Sequence, residues 1–296
     1  MPPREASLTL ASSAIAFLIA LGAGAFGAVL GIGGGLFIIP SLTLFLGIKL
    51  KTAIAASIVA VIATSLGGGN VYVRQHIADI RLGLILAVAT APGAVFGTLL
   101  ATHFSPRVLA AVFAVVLAAS AYRMLASLRS RPNAARAVTT APETAEEAGR
   151  LRFRGEYFET TTGKVVEYRV QRVPIGVGAS VVAGLISGLL GVGGGIVQVP
   201  VMNLIMRVPI KVATTTSTYI IGITATAGAF VYYNHKPSFV DPALAVPVTI
   251  GVFLGASVGS RVLSRISQTA LRNVFILVLL AYTIQMVLRA FGIGSG

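Results

Sequence analysis

The amino-acid sequence predicts an all-α polytopic membrane protein with two homologous halves and one small β-hairpin in its central loop. Of its 296 residues, 55% are hydrophobic and only 11% are charged, fewer charged residues than a soluble domain of this length needs for its surface. Continuous apolar runs of about 20 residues recur, and such a run spans the hydrocarbon core of a bilayer. The stretch GIGGGLFIIP at 31–40 returns as GVGGGIVQVP at 191–200. A β-barrel is disfavoured, because the apolar runs do not alternate.

A duplication organises the chain. Shifting the sequence by 160 positions matches glycine, proline, lysine, hydroxyl and tyrosine residues over about a hundred positions. Such varied matches indicate a true repeat rather than low complexity. The matched pairs include Lys51 and Lys211, Ser57 and Ser217, Thr64 and Thr224, Tyr72 and Tyr232 and, after a slip of two residues, Asp79 and Asp241.

Each half is predicted to hold five apolar segments. They lie near 8–30, 34–48, 52–72, 81–102 and 107–126 in the first half, and near 174–190, 194–207, 212–233, 240–262 and 270–290 in the second. The first is expected to be a retained span, because it is longer than the apolar region of a signal peptide. The second segment of each half reaches only about 21 Å, less than the roughly 30 Å core, so it is either a half-helix or a tilted, shielded one. This pattern predicts eight to ten crossings, and an odd number per half would invert the halves, as in many secondary transporters.

Residues 127–173 separate the first membrane repeat, 1–126, from the second, 174–296. Six of the nine acidic residues lie in this segment. Its first part, PNAARAVTTAPETAEEAG, is small and polar, as is typical of a linker. Its second part, RFRGEYFETTTGKVVEYRVQR, alternates around TTGK, which predicts a β-hairpin. A lone hairpin is only marginally stable, so we expect it to dock on the helices or on another copy; its arginines favour the cytoplasmic side.

Composition excludes several kinds of function. The chain has no cysteine and only three histidines, so disulfides, thiolate metal sites and cysteine nucleophiles are excluded, and neither a metal nor a cofactor is expected. The net charge of +14 would suggest nucleic acid in a soluble protein. Here basic loops that meet anionic lipid headgroups explain the charge, and no nucleic-acid partner is expected.

Carboxylates are scarce outside the central segment. Only Glu5, Asp79 and Asp241 remain there, and all three fall at the ends of predicted segments. Cation transporters and proton pumps usually place Asp or Glu inside the helix bundle. The pattern therefore favours an anionic or neutral substrate and leaves no aspartyl pair for an intramembrane protease. Asp79 and Asp241 are interpreted either as helix caps or as gate residues that pair with nearby bases.

The two GxGGG motifs are the first candidate site. A dinucleotide-binding loop would need a glycine at the sixth place, where Leu36 and Ile196 stand. The motif either packs helices closely or breaks a helix at membrane depth, so that the next helix offers its N-terminal N–H groups to an anion. Pro40 and Pro200 are expected to kink or end that helix. The candidate glycines for substrate binding are Gly31, Gly33, Gly34, Gly35, Gly191, Gly193, Gly194 and Gly195.

Polar residues near these motifs complete the candidate site. Lys51 and Lys211 each precede the third segment of a half, where they either snorkel or flank an anion path. The stretch KVATTTSTYIIGITATAG carries a dense row of hydroxyls, which either donate to an oxyanion or bond to their own backbone. The gate candidates also fit an interfacial aromatic belt, and a histidine there could sense pH. Further substrate-binding candidates are Gln198, Ser57, Thr214, Thr215 and Ser217; the candidates for a gate or anion path are Lys51, Lys211, Tyr72, Gln75, Tyr232 and His235.

These motifs resemble those of a known family. GxGGGxxxxP occurs twice, each time followed by a Lys-x-Ala…Thr/Ser segment, and this resembles the sulfite exporter TauE/SafE family of permeases over both membrane halves. The resemblance implies a multi-pass permease in the plasma (inner) membrane of a prokaryote, for a small sulfur-containing anion such as sulfite, sulfoacetate or another organosulfonate. The first half departs from the hydroxyl-rich pattern, because residues 54–56 read IAA where residues 214–216 read TTT. An asymmetric site is therefore expected.

Three functions are consistent with the sequence. The first is a secondary transporter that alternates access around a midplane anion site formed by the two GxGGG breaks. The second is a passive anion channel on the same scaffold. The third is a membrane enzyme or a non-transporting subunit, which the lack of a catalytic pair in the membrane halves disfavours. The expected partners are a small anion and the lipid bilayer; a coupling ion, either a proton or sodium, and an oligomeric state stay open.

Overall fold

The computed structural model describes residues 10–75, 77–129, 154–159, 164–235, 239–262 and 280–288, and within them the protein is helical apart from one hairpin. The helices of the first half are α1 (Leu10–Leu30), α2 (Gly35–Phe45), α3 (Leu50–Thr64), α4 (Asn70–Arg74), α5 (Ile80–His103) and α6 (Pro106–Arg129). Those of the second half are α7 (Val173–Leu190), α8 (Gly195–Pro200), α9 (Ile210–Asn234) and α10 (Pro242–Val262), and residues 280–288 are also helical. Glu5 lies outside the described residues.

Two π-helical turns extend short helices. Ser65–Gly69 joins α3 to α4, so that Leu50–Arg74 forms one segment of 25 residues. Val201–Ile205 follows α8 directly after Pro200. A proline has no N–H for the helical ladder, and a π turn is one way to continue past it. Pro200 therefore ends the regular part of its helix, as the sequence predicts, whereas Pro40 lies inside α2.

The described helices confirm an all-α polytopic membrane protein. Five of them are long and apolar enough to cross a bilayer: Ser12–Leu30, Leu50–Arg74, Ile80–His103, Val173–Leu190 and Pro242–Arg261. The hydroxyl-rich α9 has 25 residues, which reach about 37 Å at the rise of an α-helix. The second helix of each half is short, as predicted, with Gly35–Phe45 in the first and Gly195–Ile205 in the second.

The predicted hairpin forms and docks on the helices. Strands β1 (Arg154–Glu159) and β2 (Lys164–Arg169) pair antiparallel around the four residues 160–163. Tyr157 and Tyr168 are buried in one apolar cluster with Leu82 of α5 and Met206, which follows α8. The backbone N–H of Gln171 donates to the Met206 carbonyl at 3.0 Å. The hairpin is therefore anchored at the start of α5 and beside the end of the second short helix.

The matched helices α3 and α9 run in opposite directions. Lys51 at the start of α3 lies over the ring of Phe239, which follows α9. At the other end, the N–H of Asp79, which follows α4, donates to the hydroxyl of Thr216 near the start of α9 at 2.9 Å. Each matched helix therefore begins where the other ends, as inverted repeats require.

The two halves also exchange helix partners through close glycine contacts. Helix α1 packs on α10, and α7 packs on α5, so each pair joins one half to the other. A Cβ atom on Gly255 of α10 would stand 2.0 Å from the carbonyl oxygen of Leu21, and one on Gly97 of α5 would stand 2.1 Å from that of Leu185. Small residues let membrane helices approach to this distance. The halves are consequently interlocked rather than packed side by side.

Candidate functional site

Both GxGGG motifs break the helix at the same point and in the same way. Gly31, Gly33 and Gly34 have φ angles of 68°, 89° and 75°, and the matched glycines of the second motif have 64°, 84° and 72°. A side chain at such left-handed φ values costs free energy, and glycine adopts them freely. The chain therefore leaves α1 and α7, turns sharply, and begins α2 and α8 at Gly35 and Gly195.

The two breaks cross in direct contact, and we call this contact the glycine crossing. A Cβ atom on Gly35 would stand 2.5 Å from the carbonyl oxygen of Gly191, and one on Gly195 would stand 2.1 Å from that of Gly31. Real Cβ atoms do not approach other atoms within 3.0 Å. The first three glycines of each motif serve the turn, whereas the last one makes room for the other half.

The glycine crossing lies at mid-depth of the bundle. Gly33 and Gly193 both face Val61 and Ile221: Cβ atoms on these glycines would stand 3.2 and 2.9 Å from Val61 Cγ1, and 3.2 and 2.8 Å from Ile221 Cγ2. Val61 and Ile221 are matched by the 160-residue shift and occupy the middle of two 25-residue helical segments. Sequence reasoning missed both residues, although the repeat pairs them.

Two matched serines tie the breaks together. The Ser57 hydroxyl donates to the Gly191 carbonyl at 2.9 Å, and the Ser217 hydroxyl donates to the Gly31 carbonyl at 2.9 Å. Both side chains are fully buried. Each serine thus bonds to the break of the opposite half, and the equal pair of contacts is the signature of a two-fold relation. Both predicted serines lie at the crossing.

The short helices begin with N–H groups that have no acceptor within the helix. In the first turn of α2 the Phe37 N–H donates to the Gly34 carbonyl at 2.9 Å, and in the first turn of α8 the Val197 N–H donates to the Gly194 carbonyl at 3.1 Å. Among the described residues, no acceptor pairs with the N–H groups of Gly35 or Gly195. Two helix N-termini with available donors therefore meet at the crossing.

Most of the predicted hydroxyl row bonds to its own helix. The Thr214 hydroxyl donates to the Ile210 carbonyl at 2.8 Å, and the Thr215 hydroxyl donates to the Lys211 carbonyl at 2.9 Å. The same four-residue pattern holds at Thr218, Thr224 and Thr226. This is the local bonding that competes for hydroxyls in helices. In this conformation Thr214 and Thr215 offer no hydrogen to a ligand; of this row, Ser217 reaches the opposite break.

Gln198 lies beside the crossing but is engaged elsewhere. Its side chain is 2% exposed, and its amide donates to the Ser180 hydroxyl of α7 at 3.1 Å. Ser180 in turn donates to the Gly176 carbonyl at 2.8 Å. Gln198 is a predicted substrate-binding residue, but in this conformation its amide bonds across helices to α7.

Three gate candidates gather at one end of the bundle, around an aromatic residue that the sequence analysis missed. The Lys51 ammonium lies 5.5 Å from the centroid of the Phe239 ring and donates to the Thr102 carbonyl at 2.8 Å. The rings of Tyr232 and His235 lie 6.2 and 4.8 Å from that of Phe239. The ammonium is thus held by a cation–π contact next to both of the other candidates.

The matched residues at the other end are arranged differently. Gln75 is exposed and Lys211 is half-buried, while the buried Tyr72 donates to the Ala28 carbonyl at 3.2 Å. Both aspartates cap helices: Asp79 accepts from the Leu82 N–H at 3.0 Å and Asp241 from the Ala243 N–H at 3.0 Å. Of the two interpretations of these aspartates, capping is the one found. Asp79 also accepts from the hairpin hydroxyl of Tyr168 at 3.0 Å.

Comparison with known proteins supports the resemblance. Residues 16–286 match the family described as sulfite exporter TauE/SafE. The chain is 27% identical over 276 residues to the probable membrane transporter protein YunE of Bacillus subtilis (strain 168), covering 90% of this chain and 96% of YunE. It is 26% identical over 249 residues to the probable membrane transporter protein YdhB of the same strain, covering 84% and 89%. No solved structure matches the chain.

The match extends over both membrane halves and the segment between them. Both Bacillus relatives align over most of their length, and their names describe membrane transporters rather than enzymes. Together with the apolar spans and the repeated break, these matches confirm the resemblance carried by the two GxGGGxxxxP motifs. The chain belongs to the sulfite exporter TauE/SafE family and is a multi-pass membrane transporter.

Proposed function

We propose that this protein is a secondary transporter for a small sulfur-containing anion, such as sulfite or an organosulfonate, and that it alternates access around the glycine crossing. The substrate class follows the name of the family. We further propose that it acts in the inner membrane of a prokaryote, with the central hairpin on the cytoplasmic side, as its basic residues favour.

The contact between the two breaks at mid-depth carries the proposal. Helices α2 and α8 belong to inverted halves and begin at the crossing, so two N-termini approach one point from opposite directions. Helix N-termini attract anions through their available N–H groups and their dipoles, and half-helix N-termini serve this role in other secondary transporters. The N–H groups of Gly35 and Gly195 would supply backbone donors. Those of Gly31, Gly33 and Gly191 donate to backbone carbonyls in this conformation and would join only by giving up these bonds.

Charge supports an anion over a cation. Among the described residues the aspartates of the membrane halves, Asp79 and Asp241, cap helix ends and lie away from the crossing. Lys51 and Lys211 begin the two matched helices at opposite ends, where they would draw an anion from either side. Neutral donors at the centre bind a partly dehydrated oxyanion while still letting it leave.

The glycine crossing is closed in this conformation, because the glycines of both breaks are buried and in contact. Binding therefore requires the breaks to part. On opening, the hydroxyls of Ser57 and Ser217 would turn from the carbonyls of Gly191 and Gly31 towards the anion, so the contact that closes the site would also supply two donors. Thr214, Thr215 and Gln198 would join only by giving up their present partners.

Binding and flux are measured separately. Sulfite, sulfate, thiosulfate, sulfoacetate and taurine are screened by thermal unfolding of the purified protein, since a ligand of the folded state raises its stability. Uptake into proteoliposomes then distinguishes the mechanisms: a secondary transporter accumulates the anion against its gradient when a proton or sodium gradient is imposed, and a passive channel does not. Absence of both binding and flux for every anion would favour a non-transporting subunit.

Matched variants test the site itself. Gly193→Leu places a side chain against Val61 and Ile221 and is expected to abolish flux while the protein still inserts. Gly47→Leu is its control, because Gly47 also has a positive φ, of 63°, yet no other group lies within 4 Å of its Cβ position.

Lys211→Ala tests the anion path. It is expected to abolish flux with normal insertion, because it removes the charge that draws the anion to one end of the bundle. The exposed Lys49 provides the control substitution, Lys49→Ala. Normal flux in both Gly193→Leu and Lys211→Ala would overturn the twin-break site.

A further inference from the structure

Two matched carbonyl groups, one turn before each break, have different hydrogen-bond donors. The Ala28 carbonyl, three residues before Gly31, accepts from the Tyr72 hydroxyl at 3.2 Å. The matched Gly188 carbonyl, three residues before Gly191, accepts instead from the Thr98 hydroxyl of α5 at 3.3 Å. The two halves therefore depart from their two-fold relation directly beside the glycine crossing.

The matched counterparts of these two donors bond to neither carbonyl. Tyr232 matches Tyr72; its side chain is fully buried, and its hydroxyl has no hydrogen-bond partner within the described part of the chain. Ser260 matches Thr98 after the two-residue slip, and its hydroxyl donates within its own helix, to the Ser257 carbonyl at 3.1 Å. Each carbonyl thus has two candidate donors, and each half uses a different one.

The Thr98 side chain accounts for the difference between the two halves. In the first half, a Cβ atom on Gly68 would stand 3.0 Å from the Ala28 Cβ, so that the turn before Tyr72 lies directly against α1. In the second half, a Cβ atom on the matched Gly228 would stand 3.0 Å from the Thr98 hydroxyl oxygen. Thr98 therefore lies between the Gly188 carbonyl and the turn that precedes Tyr232.

A buried hydroxyl without a partner is unfavourable, and native structures rarely keep one. A second conformation that gives the Tyr232 hydroxyl an acceptor would move this cost to the Tyr72 hydroxyl, which gives up its own acceptor there. The inverted repeat supplies such a conformation, because each half can adopt the arrangement that the other half has now. The number of hydrogen bonds would be the same in both conformations, which keeps them close in free energy.

We propose that Tyr72 and Tyr232 alternate as donors between the two access states of the transporter. In the opposite state, Tyr232 donates to the Gly188 carbonyl and Thr98 turns to its own helix, while Tyr72 releases the Ala28 carbonyl to Ser260. The tyrosines act as positioning residues, each fastening its helix to the turn that leads into a break. This inference rests on the proposed alternating access.

The test uses the natural absence of cysteine in the chain. A single reporter cysteine is introduced by Gln75→Cys or, in a separate protein, by His235→Cys, which are matched positions at the two ends of the bundle. The labelling rate of each by a membrane-impermeant maleimide is compared in the parent, in Tyr72→Phe and in Tyr232→Phe. Labelling needs no substrate, so the result can be read even if none of the oxyanions is transported.

Tyr72→Phe removes a bond of the present state, and Tyr232→Phe removes one available only in the opposite state. Relative to the parent, they are expected to change the ratio of the two reporters' labelling rates in opposite directions, each about threefold to tenfold, as for one hydrogen bond. Thr98→Val should act like Tyr72→Phe, and it replaces that variant if the latter does not insert. Shifts in the same direction, or no shift in either reporter, would overturn the exchange. If the shifts appear while flux is absent for every anion, the proposed substrate class fails and the exchange stands.

Discussion

Gly195→Ala tests the glycine crossing with one added methyl group. Gly195 has no left-handed φ angle, so alanine fits its backbone, and the effect comes from contact alone. The new Cβ would stand 2.1 Å from the Gly31 carbonyl oxygen and 2.9 Å from the Cα of Ile32. The two backbones must part by about 1 Å to restore ordinary contact, and overpacking of this kind costs about 1–3 kcal/mol.

The matched control is Gly22→Ala. Gly22 lies inside α1, and no other group lies within 4 Å of its Cβ position, so the methyl group is expected to leave the free energy of unfolding unchanged or to raise it slightly. Both variants are compared by thermal unfolding in detergent, after the inserted fraction of each has been measured. Gly195→Ala should unfold several degrees lower and lose anion flux. If it unfolds at the same temperature as Gly22→Ala, the two breaks do not cross in contact.

Further substitutions probe the contacts around the crossing and the hairpin. Ser57→Ala and Ser217→Ala should each lower the free energy of unfolding by about 1 kcal/mol, and clearly unequal losses would contradict the two-fold contacts. Asp79→Ala should expose the hairpin to protease because it removes the acceptor of Tyr168, whereas Asp241→Ala removes only a cap and should not. Burial raises the pKa of Tyr168 in the docked hairpin, and the Asp79 carboxylate raises it further. Tyr168 therefore ionises at a lower pH when the hairpin is undocked, so docking should weaken as the pH rises past about 10. Amide exchange of the hairpin measures this weakening, which should be absent in Tyr168→Phe.

The features that the sequence predicts well have local signals. The hairpin follows from the alternation of apolar and polar residues around TTGK. The positive φ angles at the two breaks follow from glycines, which adopt such angles without strain. The repeat extends these local signals, because it indicates that both breaks serve one purpose. It also pairs Ser57 with Ser217, although nothing in the sequence says that each hydroxyl bonds to the opposite break.

Other features depend on partners distant in the sequence. A row of threonines has the same pattern whether Thr214 and Thr215 bond to the preceding turn or face a cavity, because both arrangements fit one helix. The exchange of partners between α1, α10, α5 and α7 rests on glycines such as Gly97 and Gly255, whose close contacts appear only when both helices are in place. Phe239 has no signal in the sequence, because its role comes from its contacts with Lys51, Tyr232 and His235.

The hairpin sits at one end of a largely two-fold arrangement. If the halves were equal and nothing else bound to them, interchanging their conformations would yield a state of the same energy, and the protein would rest facing either side with equal probability. The contacts of Tyr168 with Asp79 and of Gln171 with Met206 belong to one end, and the described residues at the other end carry no mirror image of them. We expect the hairpin to decide which side the resting transporter faces. Its removal should make the populations of the two orientations more nearly equal.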